Sequence, residues 1–325
     1  MRIGIIGAGA WGTALASIAA ENGHHVQIWA RESQVVASIN ALHRNETFLP
    51  GAMLPETVVA TMDIAQLAGS YLILNATPTQ YVRTTVTNDV VRNAIVVNVA
   101  KGIEIGTHLR VSEILAQVAP SMSAYAVLSG PSHAEEVILR MPTTVVCASD
   151  AIEVARTIQL AFSTATFRVY SSDDVVGVEV CGALKNVIAI AAGIVDGLGL
   201  GDNTKAALIT RGLAEIARLG VALGAEQQTF FGLAGLGDLF VTCASRHSRN
   251  RSVGEQIGKG ASLTSILATM NAVAEGVSTT KAALELAESV GIELPITQKV
   301  AEILFDEVDP RKVIRELMLR PTKYE

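Results

Sequence analysis

An apolar, strand-like run, Arg2–Ile6, passes directly into Gly7-Ala8-Gly9-Ala10-Trp11-Gly12 and then into a helix-like segment, Thr13–Glu21, that stops at Asn22-Gly23. Few sequence features restrict a fold as tightly. Each glycine answers a separate steric demand: Gly7 permits a tight turn, Gly9 lets the backbone approach a pyrophosphate, and Gly12 lets the helix lie close against the strand. The helix start adds unpaired N–H groups that favour an anion. A lone GxGxxG carries little weight, but the strand before it, the helix after it and its place on the first strand of an α/β pattern make it a dinucleotide fingerprint. The next strand-like run ends near Trp29, and the residue that meets the adenosine ribose stands about 20 residues past the glycines, where Arg31 and Glu32 lie. An acidic residue there takes the ribose hydroxyls of NAD, whereas an arginine pairs with the 2′-phosphate of NADP. With Arg31 first after the strand, the reading leans toward NADPH, or toward use of both cofactors.

The first half alternates such runs with helix-like segments. Arg2–Ile6, Val26–Trp29, Tyr71–Ala76, Ala94–Ala100, Tyr125–Ser129, Thr143–Ala148 and Phe167–Ser171 read as strands, several of them apolar throughout, as strands buried on both faces are. This alternation predicts a largely parallel, doubly wound sheet with helices on both faces. From Val175 onward strand signals nearly vanish, and Val175–Val195, Thr204–Leu219 and Val277–Val290 carry helical periodicity. The fold class expected is therefore α/β, with a dinucleotide-binding Rossmann-like unit over 1–172 and an all-helical unit over 173–325 that carries substrate and catalysis. The polar end Leu319–Glu325 is expected to fray.

Composition removes several function classes. With 325 residues, half of them hydrophobic, the chain can bury two cores, while 17% charged residues and a net charge of −6 give no basic field for nucleic acid or an anionic membrane. No stretch approaches the roughly 20 uninterrupted apolar residues of a membrane span. The N-terminal apolar run ending in Ser17-Ile18-Ala19 imitates a signal peptide, but a secretory segment has no need of glycines at 7, 9 and 12. Cys147, Cys181 and Cys243 are odd in number and far apart, and the six histidines lack metal-ligand spacing, so neither a disulfide framework nor a metal is expected and a reducing, cytoplasmic compartment fits.

A dehydrogenase needs a group that exchanges a proton with the carbonyl oxygen, and it needs substrate anchors. Ligands of open α/β sheets bind outside the carboxyl ends of the strands. Lys101 and Gly130-Pro131-Ser132 each follow such an end. Lys185 and Asn186 interrupt an otherwise apolar helix. Either the lysine head snorkels to water, or burial lowers its pKa toward the range useful for proton transfer. Gly232–Gly237 reads as a flexible turn, with Asp238 placed to cap the next helix and Thr242 one turn along the same face. Arg246, Arg249 and Arg251, with Ser248 at a helix start, suit a phosphate, although such a run is often a solvated face.

These stretches together resemble the bacterial-type NAD(P)-dependent glycerol-3-phosphate dehydrogenase family over nearly the whole chain. The likeness is carried by Gly7–Gly12, Lys101-Gly102-Ile103-Glu104, Leu128–Glu135, Ala183-Leu184-Lys185-Asn186, Gly235–Leu239, Ser248-Arg249-Asn250 and Val273-Ala274-Glu275-Gly276. The resemblance implies that Lys185 is the proton donor and acceptor, and that Lys101, Gly130, Ser132, Asp238, Ser248, Arg249 and Asn250 surround dihydroxyacetone phosphate or sn-glycerol 3-phosphate. It implies cofactor contacts from Trp11, Arg31, Phe48, Lys101, Ala134, Arg249, Val273 and Glu275, beside Gly7, Gly9 and Gly12. It also implies a homodimer and a role in glycerophospholipid synthesis. One departure is Asn75-Ala76-Thr77-Pro78, where the family commonly has an apolar residue before the proline. Two rivals stand beside this reading: a related two-domain β-hydroxy acid dehydrogenase, for which Arg249 would meet a carboxylate, and a non-catalytic NADP-sensing protein.

Overall fold

The computed structural model describes residues 1–270 and 273–319, so the end segment Leu319–Glu325 expected to fray lies, Leu319 apart, outside the described residues. Among the described residues ten strands form: β1 (Arg2–Ile6), β2 (His25–Trp29), β3 (Arg44–Asn45), β4 (Leu49–Met53), β5 (Val58–Thr61), β6 (Leu72–Asn75), β7 (Ile95–Asn98), β8 (Ala124–Ser129), β9 (Thr143–Ala148) and β10 (Phe167–Ser172). Eight of them make one sheet in the order β10-β9-β8-β7-β6-β1-β2-β5, and β3 pairs with β4 in a separate ribbon. From β5 to β8 all neighbours are parallel and follow the doubly wound order, with its reversal between β1 and β6. The expectation of a largely parallel sheet therefore holds except at one seam, where β9 runs antiparallel to β8.

Each of the seven anticipated strands is present, with ends shifted by a residue or two. The ribbon and β5 were not anticipated, because β5 is a four-residue edge strand with Val59 facing solvent and its period is too short to read. The glycine turn behaves as its chemistry requires. Gly7 has φ +111°, and a Cβ there would lie 2.9 Å from the Ala76 carbonyl, while one on Gly12 would overlap the Gly7 carbonyl. The helix accordingly begins at Ala10, three residues before the sequence pattern suggested.

After β10 the chain is helical. Its axis is the helix Val175–Gly197, buried along nearly its full length and capped by Asp174, whose carboxylate accepts from Gly177 N at 2.7 Å. By length and composition alone this helix could cross a membrane, but almost all of it is packed inside the protein as a core. Against it lies the helix Arg249–Gly258, and glycines set their separation. Added Cβ atoms on Gly193 and Gly254 would meet the Arg251 and Ile190 carbonyl oxygens at 1.9 Å, and those on Gly197 and Gly258 would meet Glu255 and Ile194 carbonyls. Two backbones can approach this closely only where side chains are absent. The contact fixes the Arg249–Asn250 helix start relative to Lys185, on the central helix.

A buried carboxylate fastens this helix to the sheet half. Glu179 accepts from Arg110 Nη1 at 2.8 Å, Ser112 N at 2.8 Å, Ser112 Oγ at 2.6 Å and the Tyr125 hydroxyl at 2.6 Å. Four donors satisfy a group that would otherwise be costly to bury.

Candidate active site

Lys185 is buried and does not snorkel to water. Its Nζ donates to Asp238 Oδ1 and to Thr242 Oγ1, each at 2.7 Å. The other Asp238 oxygen accepts from Lys101 Nζ at 2.7 Å, and Lys101 also reaches the Gly130 carbonyl at 3.3 Å. One carboxylate, 2% exposed, thus holds two ammonium groups from opposite halves of the chain. Burial opposes the charged carboxylate, but Lys101 and Lys185 outweigh it and hold the Asp238 pKa below its ordinary range. For Lys185, burial pushes the pKa down to about 8; the Asp238 charge resists that fall and the Lys101 charge adds to it.

The segment before Asp238 is not the flexible turn the sequence suggested. Leu233–Gly237 winds as a π-helical turn that runs straight into the helix Asp238–Ala244, and a Cβ on Gly235 would lie 2.1 Å from the Phe230 carbonyl. This rotates Asp238 inward. It therefore does not cap its helix, because the carboxylate is committed to the two lysines. Thr242 lies one turn on, as expected, and its hydroxyl donates to the Asp238 carbonyl at 2.6 Å.

The dinucleotide cradle lies along the same sheet edge, where β1, β6, β7 and β8 end. Gly9 has open space where a Cβ would stand, and the helix Ala10–Glu21 begins without a side-chain cap, so its first N–H groups face outward. A pyrophosphate fits there. Asn45 on the ribbon donates to the Ala8 carbonyl and to Thr13 Oγ1, both at 2.8 Å, and accepts from Phe48 N at 3.1 Å, which ties Phe48 to the glycine turn. Trp11 tilts against Phe167 with ring centroids 6.3 Å apart. Glu275 bridges the two halves: Oε1 accepts from Thr79 N and Oγ1 at 2.9 Å, and Oε2 from Lys101 N at 3.4 Å.

Residues 2–155 match the NAD-dependent glycerol-3-phosphate dehydrogenase N-terminus, and residues 174–315 match the C-terminus of the same family. The chain belongs to this family. It is 50% identical over 331 residues, 100% of this chain and 99% of the relative, to a Chlorobium phaeobacteroides protein named glycerol-3-phosphate dehydrogenase [NAD(P)+]. A Geobacillus thermodenitrificans protein of the same name is 51% identical over 335 residues, covering 100% of this chain and 96% of the relative. The crystal structure of glycerol-3-phosphate dehydrogenase from Coxiella burnetii superimposes with a TM-score of 0.91 at 38% identity, over 98% of this chain and 99% of that one.

Among the residues that the family resemblance singles out, Lys101, Gly130, Lys185 and Asp238 meet directly. Ser132 Oγ donates to the Gly130 carbonyl at 2.8 Å, which places its hydroxyl beside them. Ser248 is a helix cap that accepts from Arg251 N at 3.2 Å. Asn250 is partly spent on structure, donating to Asn186 Oδ1 and accepting from Gly276 N, each at 2.9 Å. The arginine run divides. Arg251 turns away to Asp196 at 2.7 Å and to Glu255 at 3.2 Å, so the cluster of three expected for a phosphate is not formed. The Arg249 side chain is exposed and makes no hydrogen bond or ion pair with another side chain among the described residues. Arg31 is exposed and touches Glu32 at 3.2 Å, while Ala134 is buried at a helix start and Val273 is exposed. Sequence reading missed Ser129, whose Oγ donates to Asp238 Oδ2 at 3.4 Å, as well as Asn45 and Thr79. No group of three or more candidate metal ligands occurs among the described residues, and the three cysteines are buried and unpaired.

The Lys185 environment yields a direct expectation. In an NMR titration with carbon-labelled lysine, Lys185 loses its proton near pH 8; Asp238→Asn moves that midpoint down and Lys101→Met moves it up. The folded protein then binds fewer protons than the unfolded chain between about 8 and the ordinary 10.5, so burial of Lys185 weighs on stability below pH 8 and is relieved as pH climbs to 10.5. A midpoint unchanged from that of exposed lysines contradicts this account.

Proposed function

We propose that this chain interconverts dihydroxyacetone phosphate and sn-glycerol 3-phosphate, using NAD(P)H, with Lys185 as the group that gives and takes the proton. The observation that carries the reading is the Lys185–Asp238–Lys101 cluster at the sheet edge that also bears the dinucleotide cradle. A dihydronicotinamide cofactor held by Gly7, Gly9 and Gly12 would supply the hydride that the substrate's C2 takes up. As charge builds on the carbonyl oxygen, Lys185 donates a proton to it, and in the reverse direction neutral Lys185 removes the proton of the C2 hydroxyl. A pKa near 8 keeps both forms populated close to neutrality. Asp238 stays ionised throughout and fixes the two amines. Lys101, Gly130 and Ser132 line the reacting end, and Arg249, with the start of the helix Arg249–Gly258, its cap Ser248 and its residue Asn250, meets the phosphate.

Around the cofactor we assign Gly7, Gly9 and Gly12 to the pyrophosphate turn, and Trp11, Arg31, Phe48, Ala134, Val273 and Glu275 to its other contacts. Arg31 favours NADPH over NADH. We divide the chain at 172/173, which agrees with a sheet ending at Ser172 and a core helix starting at Val175. We further propose a cytoplasmic homodimer whose product enters glycerophospholipid synthesis. The β-hydroxy acid dehydrogenase and sensor readings have no observation in their favour, whereas full-length identity of about half to enzymes of one name weighs against both.

Arg249→Lys tests the phosphate contact, because it keeps the charge and removes the planar fork. The Michaelis constant for dihydroxyacetone phosphate rises about tenfold or more, while the poor turnover of dihydroxyacetone, which lacks the phosphate, changes little. Equal losses with both substrates would place Arg249 on the cofactor alone. Arg31→Ala weakens NADPH relative to NADH by about tenfold to a hundredfold, the worth of a charge-assisted pair. Equal weakening of both cofactors would leave Arg31 without a phosphate to bind.

A further inference from the structure

The ends of β6 and β7 hold two asparagines, Asn75 and Asn98, opposite each other in the parallel register and fully buried. Their neighbours in these strands are Leu72, Ile73, Leu74, Ile95, Val96 and Val97, so a pair of amides here is costly unless its groups are satisfied. They are satisfied in a particular way. Asn75 Nδ2 donates to Asn98 Oδ1 at 2.9 Å, and Asn75 Oδ1 accepts from Thr77 Oγ1 at 2.6 Å and Thr77 N at 3.4 Å. Asn98 grips both backbone groups of Ala100: Oδ1 accepts from Ala100 N, and Nδ2 donates to the Ala100 carbonyl, each at 3.1 Å. Ala100 immediately precedes Lys101.

The Thr77 hydroxyl is spent inward on Asn75, and it presents no donor to a ligand. Beyond Thr77 the two loops are tied a second time, through the Glu275 contacts to Thr79 and Lys101 N. From the helical half, Asn186 Nδ2 holds the Lys101 carbonyl at 3.1 Å. The Ala100–Lys101 backbone is thus held by three side chains, and the Asn98 clamp on Ala100 is the one that originates within the sheet.

We infer that Asn75, Thr77 and Asn98 form a positioning network for Lys101, fixing Ala100 so that the Lys101 ammonium meets Asp238 Oδ2 where the substrate is anchored. None of the three is a catalytic residue, since Asn75 and Asn98 lie sealed beneath the loops. The inference rests on the reading of Lys101 as a substrate anchor, and its test separates the two.

Asn98→Leu alone strands the Asn75 amide and mixes stability with function, so the informative protein is the double variant Asn75→Leu/Asn98→Leu. Replacing both amides leaves neither of them stranded, although the Thr77 hydroxyl and N–H and both Ala100 backbone groups lose these partners. Its melting temperature is expected to fall and NADPH affinity to be little changed, while the Michaelis constant for dihydroxyacetone phosphate rises about tenfold or more through misplacement of the anchor. Lys101→Met raises it as well, and adding the two asparagine changes to Lys101→Met causes no further rise, because the network acts only through that side chain. Additive effects, or a wild-type Michaelis constant in the double variant, would overturn the inference while leaving Lys101 as an anchor. An unchanged constant in Lys101→Met itself would remove the anchor reading, and the inference with it. Should the double variant not fold, Thr77→Val tests the network with a smaller perturbation: a raised Michaelis constant that Lys101→Met masks supports it, and an unmoved one refutes it.

Discussion

The structure turns on one buried carboxylate. Asp238 sits between Lys101, from a loop after a sheet strand, and Lys185, from the middle of the central helix, at 2.7 Å from each. Two positive charges and one negative charge out of water are tolerable only when geometry is good and the remaining donors and acceptors are met. Ser129, Gly130 and Thr242 meet them. Much of the surrounding architecture follows from that requirement. The π-helical turn rotates Asp238 inward, and the glycine-lined contact between the helices Val175–Gly197 and Arg249–Gly258 fixes the site's far wall.

The same arrangement tunes its chemistry. Burial alone would drive Lys185 far toward neutrality and a single close carboxylate alone would hold it charged; sharing that carboxylate with Lys101 leaves an intermediate value of about 8. An amine so placed can give a proton in one direction and take it in the other. A lysine in open solvent would give it up too reluctantly to serve as a base. The Lys101 charge therefore acts twice, once as an anchor and once on its neighbour.

What the sequence made legible is what local rules govern. Gly7, Gly9 and Gly12 answer steric demands within one turn, and the long buried strands announce themselves by unbroken apolar runs. Lys185 was conspicuous because nothing else in its helix was both charged and so flanked by small residues. Illegible were features settled by partners distant in sequence. Asp238 reads as a cap until the π-helical turn points it at Lys101, 137 positions away. Arg251 reads as a phosphate ligand until Asp196 claims it. Asn75 and Asn98 look like ordinary strand ends until parallel register sets them side by side, and β5 is too short and too exposed to show a period.

The measurement that bears most directly on the central claim is the turnover of Lys185→Met with dihydroxyacetone phosphate, taken together with its affinity for NADPH. Methionine keeps much of the buried volume and removes only the amine. If the amine held by Asp238 is the proton donor, turnover falls roughly a hundredfold to ten-thousandfold, the usual worth of a positioned general acid, while NADPH binds about as tightly as before. A variant that folds, binds NADPH and retains more than roughly a tenth of wild-type kcat would contradict the account.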